Sequence, residues 1–438
     1  MLNYYFRLAL VSLGRHSSLT VLMVVAIALG VAMTMTAYTV LYVMSRDPIP
    51  EKSRRLFAVQ IDNGGRRSRT FGDNEPPDQL SYRDAKALLD ARAARRQVAM
   101  HQLSLTVAPA DHRLKPFTIF GRATSADFFA MFDVPMLHGH GWAPADESRL
   151  TPLVVLSEKL NTRLFAGANS TGQWVNLDGR NYQVIGVVGS WDPKPRFYDV
   201  IGGQNFDEGE DAYLPLALTI DRRISTAEYI TCNAGPAGVS FEDLLRSECV
   251  WLQFWVELAN TPDVARYQAF LNNYALDQQR SGRFAWAPNN RLRNVREWLI
   301  AQKVVPNDAR LSVIVAFGFF VVCLVSALSL MLAKEFGRAP QLGMRRALGA
   351  SRRQVFAQVV MESGIVGLLG GAFGLFLAIA ALWLMRMLFP AGMGRIAHMD
   401  GSLVAATVAF AVVATLVAGI YPAWVSMRIP PALQIKGG

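Results

Sequence analysis

The stretch Leu311–Ala333, LSVIVAFGFFVVCLVSALSLMLA, contains no Asp, Glu, Lys or Arg. A helix of about 20 residues rising 1.5 Å each crosses a hydrocarbon core of about 30 Å, so this stretch is long enough to span a bilayer. Three more runs share its character: Leu19–Met44 before it, and Ser363–Met385 and Ser402–Met427 after it. Core helices of soluble proteins rarely stay uncharged over such lengths. The expected fold class is therefore membrane α-helical, with four transmembrane helices arranged one plus three around a large extracytoplasmic mixed α/β domain. The first run is too long for a signal-peptide core and ends in no clear small-x-small cleavage site, so it reads as a retained anchor.

Charge gives the orientation. Residues 1–18 carry Arg7 and Arg15, and the segment 334–358 carries Lys334, Arg338, Arg345, Arg346, Arg352 and Arg353 against Glu335 alone. The tail 428–438 carries Arg428 and Lys436. The positive-inside rule places these three segments in the cytoplasm, with both termini inside and residues 45–310 outside. Residues 45–310 hold 32 Lys and Arg against 31 Asp and Glu, so the chain's net charge of +10 lies mostly at the cytoplasmic edges. Membrane topology thus accounts for the basic balance, and nucleic-acid binding does not.

The spans follow as 19–44, 311–333, 359–386 and 402–427, preceded by a short amphipathic helix in 1–18. The link 387–401 lies outside. Within 45–310, strands are expected at Leu56–Ile61, Val98–Val107, Pro116–Phe120, Pro152–Leu156, Trp174–Leu177, Tyr182–Val188, Asp211–Leu216, Val250–Leu258 and Phe284–Ala287. Asp178-Gly179 marks a hairpin turn. Helices are expected after Ser81, whose Asp84 sits three residues on in the capping-box position, over Asp127–Phe132 and Glu158–Phe165, after an N-cap at Thr261, and over Val295–Val304 running towards the second span. One strand–helix–strand unit early and one late predict a split subdomain, 45–116 with 249–310, and an inserted subdomain, 117–248.

Catalytic and metal signatures are absent from the sequence. There is no Walker A loop, no G-x-S-x-G, no H-E-x-x-H and no C-x-x-C. His138 and His140 have no companion ligand at metal spacing. Asp207, Glu208, Glu210 and Asp211 do not follow calcium-loop spacing and read as a solvated loop. Glu362 reads as an interfacial, solvated carboxylate. Cys232 and Cys249 lie in the outer domain, where either a disulfide or two buried thiols would serve.

Two motifs remain. Gly367, Gly370, Gly371 and Gly374 make two overlapping G-x-x-x-G pairs, which let another helix approach closely, within the chain or across a dimer. The loop residues Gln341, Leu342, Gly343, Met344, Arg345, Arg346, Ala347, Leu348, Gly349 and Ala350 form a short basic amphipathic turn. Its physics leaves two uses open, lying on anionic lipid or docking on a cytoplasmic partner.

At this loop the chain resembles the MacB/FtsX-like permeases of ABC transporters. Gly343-Met-Arg-Arg-Ala-Leu-Gly-Ala350 matches the family's pattern. So do the glycines opening the third span, Tyr421-Pro422-Ala423-Trp424 and Pro430-Pro431-Ala432-Leu433. In the outer domain Leu80-Ser-Tyr82, Asp127-Phe-Phe129, Leu156-Ser-Glu158, Gly179-Arg-Asn-Tyr182 and Ile185-Gly-Val-Val188 are similar to the family's periplasmic core. Gln341 departs from the pattern, which usually has Glu there.

The resemblance implies a permease of the bacterial inner membrane that works by mechanotransmission. It would be no enzyme itself, and would need no cofactor, because ATP and Mg²⁺ would be bound by separate ABC ATPase subunits docked on the coupling helix Gln341–Ala350. A second permease would complete a homodimer or heterodimer, and a periplasmic adaptor and outer-membrane channel are further family partners. The implied output is expulsion of a peptide, antibiotic or other amphiphile. Lipoprotein extraction and activation of a cell-wall hydrolase are the alternatives.

Overall fold

The structure is a computed structural model that describes residues 17–64, 75–110, 114–201, 205–232, 238, 240–338, 344, 351–388 and 401–428. The chain divides into two compact units, Met1–Ser45 with Val305–Gly438, and Arg46–Val304.

The first unit is helical. Its elements are α1 (Ser17–Met44), α10 (Asn307–Gly337), α11 (Arg352–Leu388) and α12 (Gly401–Arg428). All four are long and apolar enough to cross a membrane. Their shared core includes Met23, Ile27, Val31, Phe320, Val366 and Ala411. Outward faces stay apolar, with Leu311, Ile314, Val322, Phe376 and Trp383 exposed, as a lipid-facing surface requires. Ser351 starts α11: its Oγ accepts from Gln354 N at 3.3 Å, while Gln354 Oε1 accepts from Ser351 N at 2.8 Å. Residues 1–16, where the amphipathic N-terminal helix was expected, the link residues 389–400 and the tail 429–438 lie outside the described residues.

The second unit is mixed α/β. Its strands are β1 (Leu56–Gln60), β2 (Leu80–Ser81), β3 (Arg96–Ala108), β4 (Phe117–Thr124), β5 (Met136–Gly139), β6 (Leu153–Ser157), β7 (Trp174–Leu177), β8 (Arg180–Val188), β9 (Ala212–Pro215), β10 (Val250–Glu257) and β11 (Arg291–Asn294). They join one sheet in the order β11-β1-β10-β3-β4-β9-β6-β8-β5, with β2 on β10 and β7 bridging β3 and β8. β4–β9 and β6–β8 are parallel, and the other pairs are antiparallel. The helices are α2 (Tyr82–Ala91), α3 (Phe128–Met131), α4 (Pro144–Ser148), α5 (Glu158–Phe165), α6 (Leu216–Asp221), α7 (Phe241–Arg246), α8 (Thr261–Arg280) and α9 (Val295–Ala301).

Several expectations change here. The boundary at 117 is not a break in the sheet: β4 pairs with β3 from Val107↔Phe117 to Met100↔Thr124, so segment 117–248 extends the same sheet. Phe284–Ala287 forms no strand, and the pairing falls to Arg291–Asn294 on β1. Asn260, not Thr261, caps α8, because its Oδ1 accepts from Asp263 N at 2.9 Å. Asp211–Leu216 gives a shorter strand, and Leu216 opens α6 instead. The helix expected over Val295–Val304 stops at Ala301. Lys303 takes a left-handed φ of 50° and Pro306 precedes the next helix, so no single rod runs from Val295 into α10.

Candidate functional site

Residues 341–343 and 345–350 of the expected coupling helix lie outside the described residues, and Met344 is 65% exposed. The two helices that bound this loop are described. Lys334, near the end of α10, and Glu362, in the third turn of α11, form an ion pair of 2.7 Å with both side chains about 1% exposed. Arg338 Nη1 lies 3.3 Å from both Glu362 carboxylate oxygens. Gln358, one turn earlier on α11, donates its Nε2 to Glu362 Oε1 at 3.2 Å. Glu362 is thus a buried acceptor shared by three side chains, not the solvated carboxylate its interfacial position suggested. The sequence did hold a signal, since the run Lys334–Arg338 and Glu362 stand at facing ends of consecutive spans.

The four glycines of α11 divide between two neighbours. A Cβ on Gly370 would meet Ile27 Cγ2 at 2.7 Å, and one on Gly374 would meet the Ala28 carbonyl oxygen at 2.8 Å, both on α1. A Cβ on Gly371 would meet Ala411 Cβ at 2.9 Å, and Gly367 abuts Thr415, both on α12. The overlapping pairs therefore seat α11 between α1 and α12 within one chain. Gly30 on α1 receives Phe320 of α10, and Gly419 on α12 abuts Ser363.

In the outer unit, Cys232 and Cys249 are joined by a disulfide beside the Thr231↔Val250 bridge. A charged cluster that the sequence reading missed lies nearby. Arg122, fully buried on β4, contacts Glu210 (Nε to Oε1 2.6 Å) and Asp199, and sits 3.7 Å from Glu228. Arg196 Nη1 reaches Glu210 Oε1 at 3.3 Å, and Tyr198 Oη donates to Glu210 Oε2 at 2.8 Å. Gln253 on β10 bonds both Asp199 and Glu228. Burial alone would raise the Glu210 carboxyl, but Arg122 and Arg196 override it and hold it at about 2. Burial, with Asp199 adding repulsion, pushes Glu228 up to about 8. Burial keeps the His101 imidazole neutral, down at about 3. Glu210 came from the acidic run read as a solvated loop. Only Glu208, paired with Lys159, behaves as that reading expected. Among the described residues no three potential metal ligands cluster, and His138 and His140 have no third partner.

Comparison with known proteins places these features in a setting. The model described as "MacB-like periplasmic core domain" matches residues 20–274, and that described as "FtsX-like permease C-terminal" matches residues 313–431. The chain is 23% identical over 359 residues to the "Macrolide export ATP-binding/permease protein MacB" of Syntrophobacter fumaroxidans, covering 73% of this chain and 47% of that protein. It is 23% identical over 445 residues to the protein of the same name from Acinetobacter baylyi, covering 99% of this chain and 60% of that one. The chain spans about half the length of the curated relatives it matches. Among solved structures, the periplasmic region of MacB from Actinobacillus actinomycetemcomitans aligns at 16% identity and a TM-score of 0.37, covering 59% of this chain and 96% of that one.

Proposed function

The chain belongs to the FtsX-like permeases that carry a MacB-like periplasmic core domain, and from that premise we propose that it is the permease subunit of an ABC transporter working by mechanotransmission. Separate ATPase subunits, which bind ATP and Mg²⁺, dock on the loop Gln341–Ala350. Their closure displaces that loop, and the displacement moves the outer unit, which expels a peptide, antibiotic or other amphiphile. A second permease completes the dimer. The loop, both termini and the ATPases are cytoplasmic, and the outer unit is periplasmic.

The observation that carries this reading is the network of Lys334, Arg338, Gln358 and Glu362. It ties together the two helices from which the loop is suspended. A force on the loop then shifts α10 and α11 as a pair and is not lost in bending either helix alone. The break at Lys303–Pro306 means that no single continuous helix is the transmitting element.

The test is a double charge reversal, Arg345→Glu with Arg346→Glu, in the permease reconstituted with its ATPase. Permease-dependent stimulation of ATP hydrolysis should fall to the basal rate. Full stimulation by the variant, or failure of any ATPase to co-purify with the wild-type chain, would remove the coupling role.

A further inference from the structure

Between the end of α6 and the disulfide, residues 224–232 run past β3 and β10. Ile224 N donates to the Thr219 carbonyl at 2.9 Å, which closes α6, and Cys232 is bonded to Cys249. Among the described residues, the bonds from this segment to the sheet converge on one place until Thr231 meets Val250. Ala227 N and Thr226 Oγ1 donate to the Gln102 carbonyl at 2.9 and 3.4 Å, and Glu228 Oε1 accepts from Gln102 N. Glu228 Oε2 accepts from Gln253 Nε2, and from Gln79 Nε2 at 2.9 Å. Apolar packing adds little. Ile224 is half-buried against the core, but Tyr229 and Ile230 are 74% and 43% exposed. A segment held by hydrogen bonds, with few buried apolar contacts, opens at lower cost than the core beneath it.

Glu228 is the buried part of this segment, with its side chain 6% exposed. The groups that face it are charge-balanced without it. Arg122 and Arg196 oppose Glu210 and Asp199, and Arg122 already contacts both of those acids before it reaches Glu228 at 3.7 Å. Burial keeps the other titratable groups of the cluster, Tyr198, Tyr213 and His101, neutral. An ionised Glu228 therefore sets three anions against two cations in a buried site, where an uncompensated charge is costly. A protonated Glu228 keeps the site even. In accord with that count, burial and the Asp199 charge lift its carboxyl to about 8.

We propose that residues 224–232 are a pH-operated strap, lying on β3 while Glu228 holds its proton and lifting when that proton is lost. The carboxylate then moves into water, where it returns to its ordinary value of 4.5. The movement is bounded, because α6 fixes one end and the Cys232–Cys249 link tethers the other. Lifting frees both backbone groups of Gln102 and uncovers the Arg122 cluster. The sign follows from linkage. The closed form binds the proton more tightly, so raising the pH from 4.5 to about 8 weakens closure by about tenfold per unit, and the dependence levels off above 8. The strap is a property of the outer unit and does not rest on the coupling role of the loop Gln341–Ala350.

Amide hydrogen exchange tests it on the full chain in lipid nanodiscs, read by mass spectrometry near pH 6 and pH 8 and corrected for the intrinsic rate at each pH. Residues 224–232 should lose protection by at least about tenfold at the higher pH. They should also be less protected than α8 (Thr261–Arg280) at both. Glu228→Gln is neutral at every pH and should abolish the difference in residues 224–232. Asp199→Asn should shrink it, because an ionised Glu228 then joins Glu210 in balancing the two arginines. Protection of residues 224–232 that does not change with pH overturns the proposal. So does an equal loss in Glu228→Gln, an undiminished loss in Asp199→Asn, or protection equal to that of α8 at both values, which would mean that the strap opens only when the whole unit unfolds. ATPase stimulation enters none of these readouts, so failure here leaves the coupling function standing.

Discussion

Lys334 and Glu362, 28 positions apart on either side of the loop that joins α10 to α11, meet at 2.7 Å with almost no exposure to solvent. Removing one partner of such a pair leaves a buried charge without compensation, at a cost of about 3–5 kcal/mol. Glu362→Ala should cost that much, since it strands both Lys334 and Arg338. Lys334→Met with Glu362→Leu should recover part of the loss, because it removes both charges of the closest pair and leaves Arg338 with Glu335 alone, 3.7 Å away. Thermal unfolding in detergent measures both. Equal destabilisation by the single and double variants would mean that the pair is not the source.

The glycines of α11 make a second expectation. Gly370→Leu or Gly374→Leu should push α11 off α1 and cost about 1–3 kcal/mol, the usual scale of overpacking. Gly318 on α10 is the control, because a Cβ there meets nothing within 4 Å. Gly318→Ala should be neutral or mildly stabilising. Thermal unfolding of the three variants in the same detergent ranks them.

Much of this architecture was legible in the sequence. The uncharged runs fixed the four long helices, because length and apolarity are properties of a segment by itself. Ser81 was readable as a cap because capping is local: its hydroxyl accepts from Asp84 N. What escaped depended on partners far along the chain. Arg122 and Glu210 lie 88 positions apart, and nothing near either residue says that the other will neutralise it. The strand over Val250–Leu258 was legible, but the burial of its polar residues was not, for the same reason. β10 is central in the sheet and covered on both faces, so Gln253 and Glu257 are as buried as Phe254. Gln253 is satisfied by Asp199 and Glu228, and Glu257 by Arg96.

The disulfide Cys232–Cys249 spans 17 positions. By loop-closure entropy a cross-link of this length stabilises by about 3 kcal/mol. Adding reductant to the full chain should lower the unfolding midpoint of the outer unit by several degrees, and Cys232→Ser with Cys249→Ser should match the reduced wild type. A midpoint indifferent to reductant would show that the link adds nothing to stability.

The buried cluster around Arg122 should make the outer unit's stability depend on pH from both sides. Glu210 is depressed to about 2, so its contribution is fully present above the ordinary carboxylate value of 4.5 and is lost as pH falls towards 2. Glu228 is raised to about 8. The folded state keeps its proton between about 4.5 and 8 while the unfolded chain has lost it. Stability is therefore greatest below the unfolded value and declines as pH rises to about 8, by up to about 1.4 kcal/mol per pH unit. The charges facing Glu228 are Arg122 and Asp199, with Gln102 N, Gln79 and Gln253 as donors. Glu228→Gln stays neutral at every pH and keeps an acceptor for Gln102 N. It should leave stability near pH 5 little changed, raise it near pH 8, and flatten the decline between them. Chemical denaturation at pH 5, 6.5 and 8 distinguishes the two proteins. Parallel declines in wild type and Glu228→Gln would place the titrating group elsewhere.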